Sequence, residues 1–291
     1  GRFRLGFNYD SNANQGPASE DMQLGSWRVT VPGAKSIPTA AAYFGANFDL
    51  LRPLDQSPWA LVGDLGLNLR VSENSDLDAS RTREWQALRL AGGLRRIGPR
   101  DLLDLRLKAE IFDYEFTNSV LAAGPELAWL HAFTPSLQLV SNLGLEQRAY
   151  KRDSGRNGLY GQAGETLRFF FGGQGRHNFS LGGGFLWGEP SEKNYQYTGW
   201  TAPARLSLGL TDRLNLSPHV SYTRESYRGP ATALETEDRR DDRVRAGLDT
   251  SFRLTESLSL EVNYAYTNSD SNSPLYSYDQ HLVGLGLAWG F

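Results

Sequence analysis

The sequence has no cysteine, one methionine and only four histidines among its 291 residues. Without cysteine there is neither a disulfide nor a thiolate metal site, which is compatible with an oxidising compartment without proving one. No apolar run reaches the ~18 residues that a membrane-spanning helix needs, so a closed barrel is the only way for this chain to cross a bilayer. A basic surplus is also missing, since the formal net charge is -3, and this argues against a nucleic-acid binder. Hydrophobic residues make up 40% of the chain, which excludes a disordered one. The 31 glycines and 12% aromatic residues suit short strands and turns better than helices. Gly1 opens almost directly into an alternating segment with no signal-peptide pattern, so the chain reads as a mature or excised one.

The alternation is clearest at the end. Val283, Leu285, Leu287, Trp289 and Phe291 fall on one face, and Gly284, Gly286, Ala288 and Gly290 on the other. A membrane-spanning β-strand has this pattern over about ten residues, with aromatics at the interface. Fourteen such segments are expected, near 2-10, 40-52, 59-72, 84-97, 101-113, 119-133, 137-150, 158-172, 177-188, 198-210, 214-226, 242-254, 258-268 and 278-291. Their connectors alternate between short turns such as Gly98-Pro99-Arg100 and Thr134-Pro135-Ser136, and longer polar stretches, the longest near 11 to 39 and 227 to 241. The fold class that follows is all-β: a transmembrane antiparallel up-and-down barrel of 14 strands, with short periplasmic turns and long extracellular loops. One domain spans 1-291, and an even strand count puts both termini on the periplasmic side of a Gram-negative outer membrane.

Alternation alone would also fit a soluble barrel turned inside out. Two features favour the membrane. Trp59, Trp129, Trp187, Trp200 and Trp289 lie near segment ends on the apolar side, as an aromatic girdle would. A closed sheet of this size is also too wide for side chains alone to fill, so its polar face borders a lumen. Some segments are less regular. Glu165 falls in the apolar register of Leu167 and Phe169 while Phe170 falls in the polar one, so a bulge or register shift is expected near 164 to 166. Pro203 and Pro218 remove ladder donors inside their strands.

The polar face carries the candidate functional residues. Lumen-lining candidates are Arg70, Arg89, Arg106, Lys108, Glu110, Glu126, Glu146, Arg148, Arg168, Arg205, Arg245, Asp249, Arg253 and Glu261. Arg4, Asp49, Asp64, Arg95, Asp104 and Glu225 share that register. The two signs are interleaved, whereas a charge-selective pore concentrates one sign at a constriction. His219 is the one histidine with lumen company, in Ser217, Ser221 and Glu225. Same-face neighbours in a strand are nevertheless about 7 Å apart along the backbone, so no catalytic residue is assigned. No cofactor is expected, and scattered histidines give no metal motif. The acidic stretches Glu73 to Asp78, Glu235 to Asp242 and Ser269 to Ser273 read as solvated loops.

The opening Phe7-Asn8-Tyr9-Asp10-Ser11-Asn12-Ala13-Asn14 resembles the first strand and loop of the C-terminal barrel of the surface lipoprotein assembly modulator (Slam) family. Ser271-Asn272-Ser273, Tyr276, Tyr278-Asp279 and the run to Phe291 are similar to that family's last loop and strand. The resemblance implies a non-enzymatic, translocon-like role in the export or surface display of a lipoprotein or secreted client. It also implies a helical repeat domain in the periplasm ahead of the barrel. A lateral opening between the first and last strands makes Gly284, Gly286, Gly290 and Phe291 seam candidates, because glycine adds no side-chain packing. The competing function is a passive or exopolysaccharide-conducting pore with the first loop folded inward. The expected partners are outer-membrane lipids and lipopolysaccharide, a client protein and the repeat domain, with no nucleic acid.

Overall fold

A computed structural model of the chain describes residues 1-72, 85-114 and 118-291. The barrel strands are β1 (Arg2–Asp10), β4 (Thr39–Pro53), β5 (Trp59–Ser72), β6 (Trp85–Ile97), β7 (Asp101–Tyr114), β8 (Asn118–Thr134) and β9 (Leu137–Tyr150). They continue as β10 (Gly158–Phe171), β11 (His177–Pro190), β12 (Tyr197–Gly209), β13 (Leu214–Tyr227), β14 (Arg240–Arg253), β15 (Leu258–Ser271) and β16 (Tyr278–Gly290). These fourteen pair with their sequence neighbours, and β1 closes the ring on β16. A two-stranded hairpin, β2 (Asp21–Leu24) and β3 (Trp27–Thr30), lies in the first loop.

Connections at one rim are short: Pro53 to Trp59, Ile97 to Asp101, Thr134 to Leu137, Phe171 to His177, Gly209 to Leu214 and Arg253 to Leu258. The termini lie at that rim. The Gly1 ammonium donates to the Phe291 carbonyl at 3.0 Å, and the Phe291 amide donates back to Gly1 at 3.2 Å. At the other rim the long first connection, from Asp10 to Thr39, carries the hairpin, and Tyr227 to Arg240 forms a second large loop.

The ladders sort side chains by parity, because successive residues in a strand point to opposite faces. Leu5, Phe7, Leu107, Leu285 and Trp289 leave half or more of their area exposed on the outside. Exposed apolar side chains over the whole outer wall belong in lipid. Trp59, Trp129, Trp187, Trp200 and Trp289 all take the outward register. Near the termini, Phe291 stacks on Phe3 at 5.2 Å and meets Phe48 at 6.1 Å, forming one sector of an aromatic belt.

The irregularities fall elsewhere than expected. β10 pairs in unbroken register with both β9 and β11 through residues 164 to 166, so the bulge expected there is absent. Glu165 simply sits on the outer face, where its carboxylate accepts a 2.7 Å hydrogen bond from the Ser141 hydroxyl. That hydroxyl offsets part of the cost of placing a carboxylate among apolar neighbours. The bulge is between Ala132 and Thr134 in β8 instead. Proline does interrupt ladders. Pairing of β11 with β12 skips from Leu181–Ala204 to Gly184–Thr201 at Pro203, and β12 with β13 from Arg205–His219 to Leu208–Leu216 beside Pro218. The missing proline amide removes a ladder donor at each place.

Candidate functional site

The inward register gathers the charged residues of β5 to β9 into one connected belt. Arg95 donates to Asp104 at 2.6 Å, and Arg106 reaches both Asp104 at 2.9 Å and Asp64 at 2.8 Å. Arg89 lies 3.4 Å from Asp64 and donates to Glu126 at 3.1 Å. Lys108 then bridges Glu126 at 3.1 Å and Glu146 at 3.0 Å, and Arg148 completes the belt on Glu146 at 2.5 Å. Cation and anion alternate along it, so each charge is compensated by a neighbour, as partly desolvated charges require.

Beside this belt, the middle of β10 to β12 turns small or uncharged groups inward, among them Gly164, Gly184 and Thr201, with Arg168 and Arg205 nearer the short-turn rim. The space left between the two walls is a continuous track. A cavity of about 450 Å³ runs from Asp104 and Arg106 to Thr201. It shares Glu126, Gly144, Gln162 and Leu186 with a second of about 330 Å³. That one shares Arg148, Tyr160 and Tyr197 with a third, of about 640 Å³, under the first loop. On the far side of the interior, about 630 Å³ lies between Tyr43, Trp85, Arg205, Asp249 and Glu261.

The other sequence candidates are distributed around the same inner face. Arg205 donates to Asp249 at 2.5 Å, while Arg4 lies 3.4 Å from Glu261, which also pairs with Arg2. Arg70 is 3.8 Å from Asp10. Glu110 lines the cavity that holds Lys108, and Arg253 donates to the Asp212 carbonyl. Arg168 sits opposite Ser180, and Arg245 opposite Ser221, in the inward register. His219 does not assemble with the serines. Its ring meets the Ser217 carbonyl at 3.4 Å and Asp249 at 3.5 Å, while the Ser217 hydroxyl pairs with Ser207 at 3.3 Å. Among the described residues no three His, Cys, Asp or Glu side chains converge as a metal site would require. The acidic stretch Glu73 to Asp78 lies outside the described residues.

Gly284, Gly286 and Gly290 take the inward register of β16, and Phe291 lies on the outside against Phe3. β1 is the shortest barrel strand, with 9 residues against 13 in β6, β12 and β16. Gly6 faces Gly286 across their junction, and Tyr43 of β4 covers both.

The opening motif has a local structural role. The Asn12 amide nitrogen donates to the Gly16 carbonyl at 2.8 Å and the Asp279 carbonyl at 3.0 Å, while its oxygen accepts from the Gly16 amide at 2.9 Å. Asn14 does the same for the far end of the loop, through Lys35 at 2.9 Å and Ile37 at 2.9 Å. Asp10 accepts from Gln280 at 2.9 Å. The motif therefore pins both ends of the first loop to each other and to β16.

Residues 107–291 match the protein family described as surface lipoprotein assembly modifier. The chain belongs to that family. Its fold is also that of known outer-membrane channels. The outer membrane channel DcaP of Acinetobacter baumannii aligns over 100% of this chain and 96% of its own, with 12% identity and a TM-score of 0.50. The CymD monoaromatic hydrocarbon channel aligns over 100% and 88%, with 7% identity and a TM-score of 0.50. At these identities the likeness is one of fold. No curated protein matches the chain. Family and architecture together make this chain an outer-membrane β-barrel of a Gram-negative bacterium.

Three parts of the interior are absent from the sequence expectations. Trp85 points inward and stacks on Phe112 at 5.4 Å. Tyr43 covers the glycine pair, and a group of tyrosines lines the cavity under the first loop. Parity carried the signal in each case, since Trp85 shares the register of Arg89, and Tyr150 that of Glu146 and Arg148.

Proposed function

We propose that the barrel is a translocon-like component that helps a client lipoprotein or secreted protein pass from periplasm to cell surface. The observation that carries this reading is the track beside the charge belt, from the level of Asp104 and Pro203 inside the barrel to the space beneath the first loop. Interleaved charges along it suit a polymer of mixed charge, because neither sign is held at a single constriction. On this reading the fourteen charged candidates border a hydrated lumen. The short-turn rim and both termini face the periplasm, and a helical repeat domain would deliver the client there. The short β1 and the glycine pair at Gly6 and Gly286 supply a seam at which the wall can part.

The test is coproduction of the full gene product with a candidate surface lipoprotein, read by protease accessibility on intact cells. Exposure of the lipoprotein should rise when the barrel is present; no gain would remove the proposal. Planar-bilayer recording separates the competing reading, since a steady channel of large conductance would mark a passive or polysaccharide-conducting pore.

A further inference from the structure

At the loop-side end of the track, tyrosines form a continuous aromatic strip across four strands. Tyr160 of β10 meets Tyr197 of β12 with ring centroids 6.4 Å apart, and Tyr197 meets Tyr227 of β13 at 5.5 Å. They approach over β11 because the residue between them is Gly188. A Cβ there would stand 2.6 Å from the Tyr197 ring and 3.0 Å from the Tyr160 ring. Tyr276 of the last loop and Tyr278 at the start of β16 extend the aromatic wall, and the first loop roofs the space with Asn14 to Pro17.

Arginines stiffen this wall. Arg148 lies 4.1 Å from the Tyr160 centroid, Arg156 4.7 Å from Tyr195, and Arg239 between Tyr227 at 4.1 Å and Tyr276 at 3.3 Å. Cation–π stacking of this kind holds rings and guanidinium planes in fixed orientation. Each arginine also has its own carboxylate: Glu146, Asp153 at 3.0 Å and Asp241 at 2.5 Å in turn. A polyanion therefore meets few uncompensated cations here. Arg243 differs from these. Its closest carboxylate, Glu225, is 3.7 Å from its terminal guanidinium nitrogen, and 36% of its side chain is exposed where it lines the cavity. A guanidinium so loosely paired at a cavity wall keeps donors for an acceptor that a ligand supplies.

We propose that this vestibule is a binding site for an extended polypeptide segment, with its side chains against the tyrosine faces and a backbone carbonyl on Arg243. Rigid tyrosines give large contact area at low entropy cost and tolerate varied sequence. Peptide groups present donors and acceptors together, matching a wall on which guanidinium, carboxylate and phenol alternate. The identification of the polypeptide as client rests on the translocon reading; the site itself is tested without it.

The probe is a short dye-labelled peptide of mixed charge and no secondary structure, titrated by fluorescence anisotropy onto the purified 291-residue barrel in detergent. Binding should weaken about tenfold or more in the Tyr197→Ser/Tyr278→Ser variant, if two stacking contacts are lost. Tyr197→Phe in place of Tyr197→Ser should recover most of it. Heat-dependent gel mobility and circular dichroism check that each variant is folded. If the double variant does not fold, the same peptide carrying a photoreactive group is crosslinked to the unaltered barrel, and adducts should map to the vestibule. No binding, equal binding by a folded variant, or adducts confined to the outer wall would each overturn the proposal. Displacement of the peptide by a neutral maltooligosaccharide would overturn it in favour of a glycan site. Peptide binding without surface display of a lipoprotein would count against the translocon alone. Display without binding would count against the vestibule alone.

Discussion

Tyr43 reaches across β1 to cover Gly286, two strands away, so that a Cβ on Gly286 would overlap its hydroxyl and one on Gly6 would lie 2.6 Å from it. The two glycines are paired across the junction where the barrel closes. Their lack of side chains is therefore a packing requirement, with one ring spanning the first and last strands. At Gly6 a Cβ would also overlap the Leu285 carbonyl, which belongs to the ladder and cannot swing aside. Gly6→Ala should cost about 1–3 kcal/mol through overpacking. Gly286→Ala should cost less, and Tyr43→Ser should relieve part of it. Urea unfolding in lipid vesicles of the single and double variants measures the coupling. Strict additivity of Gly286→Ala and Tyr43→Ser would show that the ring does not hold the junction.

Lys108 is the single cation between Glu126 and Glu146 in the belt, with only 15% of its side chain exposed. Lys108→Met would leave both carboxylates facing an apolar group, with Arg89 and Arg148 still paired to their outer sides. We expect a loss of about 1–3 kcal/mol, below the range for a fully buried pair because water reaches the interior. Glu146→Gln should cost less, since an amide still accepts from Lys108. Denaturant midpoints check the order, and a Lys108→Met protein as stable as the parent would show that water alone satisfies the two carboxylates.

Asn12 holds the first loop through both halves of its amide, and it is almost completely buried. Asn12→Asp keeps the shape and the acceptor but removes both donors, to the Gly16 and Asp279 carbonyls. The loop should open more often, raising the rate of tryptic cleavage at Arg28 or Lys35 in the folded barrel several-fold, for a local loss of about 1–2 kcal/mol. Gel mobility of the unheated barrel should be unchanged. Cleavage at the parent rate would mean that Asn14 and the hairpin hold the loop without Asn12.

Much of this architecture could be read from parity alone. Strand limits such as Arg2–Asp10, Trp59–Ser72 and Leu137–Tyr150 coincide with the alternating segments, because lipid outside and charge inside enforce a two-residue period. Glu165 misled the register because composition cannot show that a neighbouring strand supplies the Ser141 hydroxyl. The hairpin at Asp21–Leu24 and Trp27–Thr30 was hidden by its length, although Gly25, at φ 59°, begins a turn glycine favours. Ends of β14 and β15 beyond the expected segments carry polar residues such as Asp241 and Ser271, which pair with each other rather than with lipid. The belt and the tyrosine strip depend on contacts between strands, and one sequence gives the face of each residue without its neighbours.

Arg239 is the most constrained charge at the loop rim. Burial is the largest single influence and opposes its charge, but hydrogen bonds to Asp241 together with the electrostatic influence of Tyr227, Asp241 and Tyr276 outweigh it and raise the pKa above the ordinary arginine value. Its Nε donates to both Asp241 oxygens at 3.0 Å, and its guanidinium plane lies between Tyr227 and Tyr276. Lysine keeps the charge but has neither the planar fork nor the stacking surface. Arg239→Lys should therefore destabilise the loops from 228 to 239 and 272 to 277 by about 1–3 kcal/mol while the strands keep their protection. Hydrogen exchange read by mass spectrometry separates the two regions. Faster exchange confined to those loops is the expected result, whereas unchanged exchange would show that charge alone, without stacking or bidentate bonding, fixes the rim.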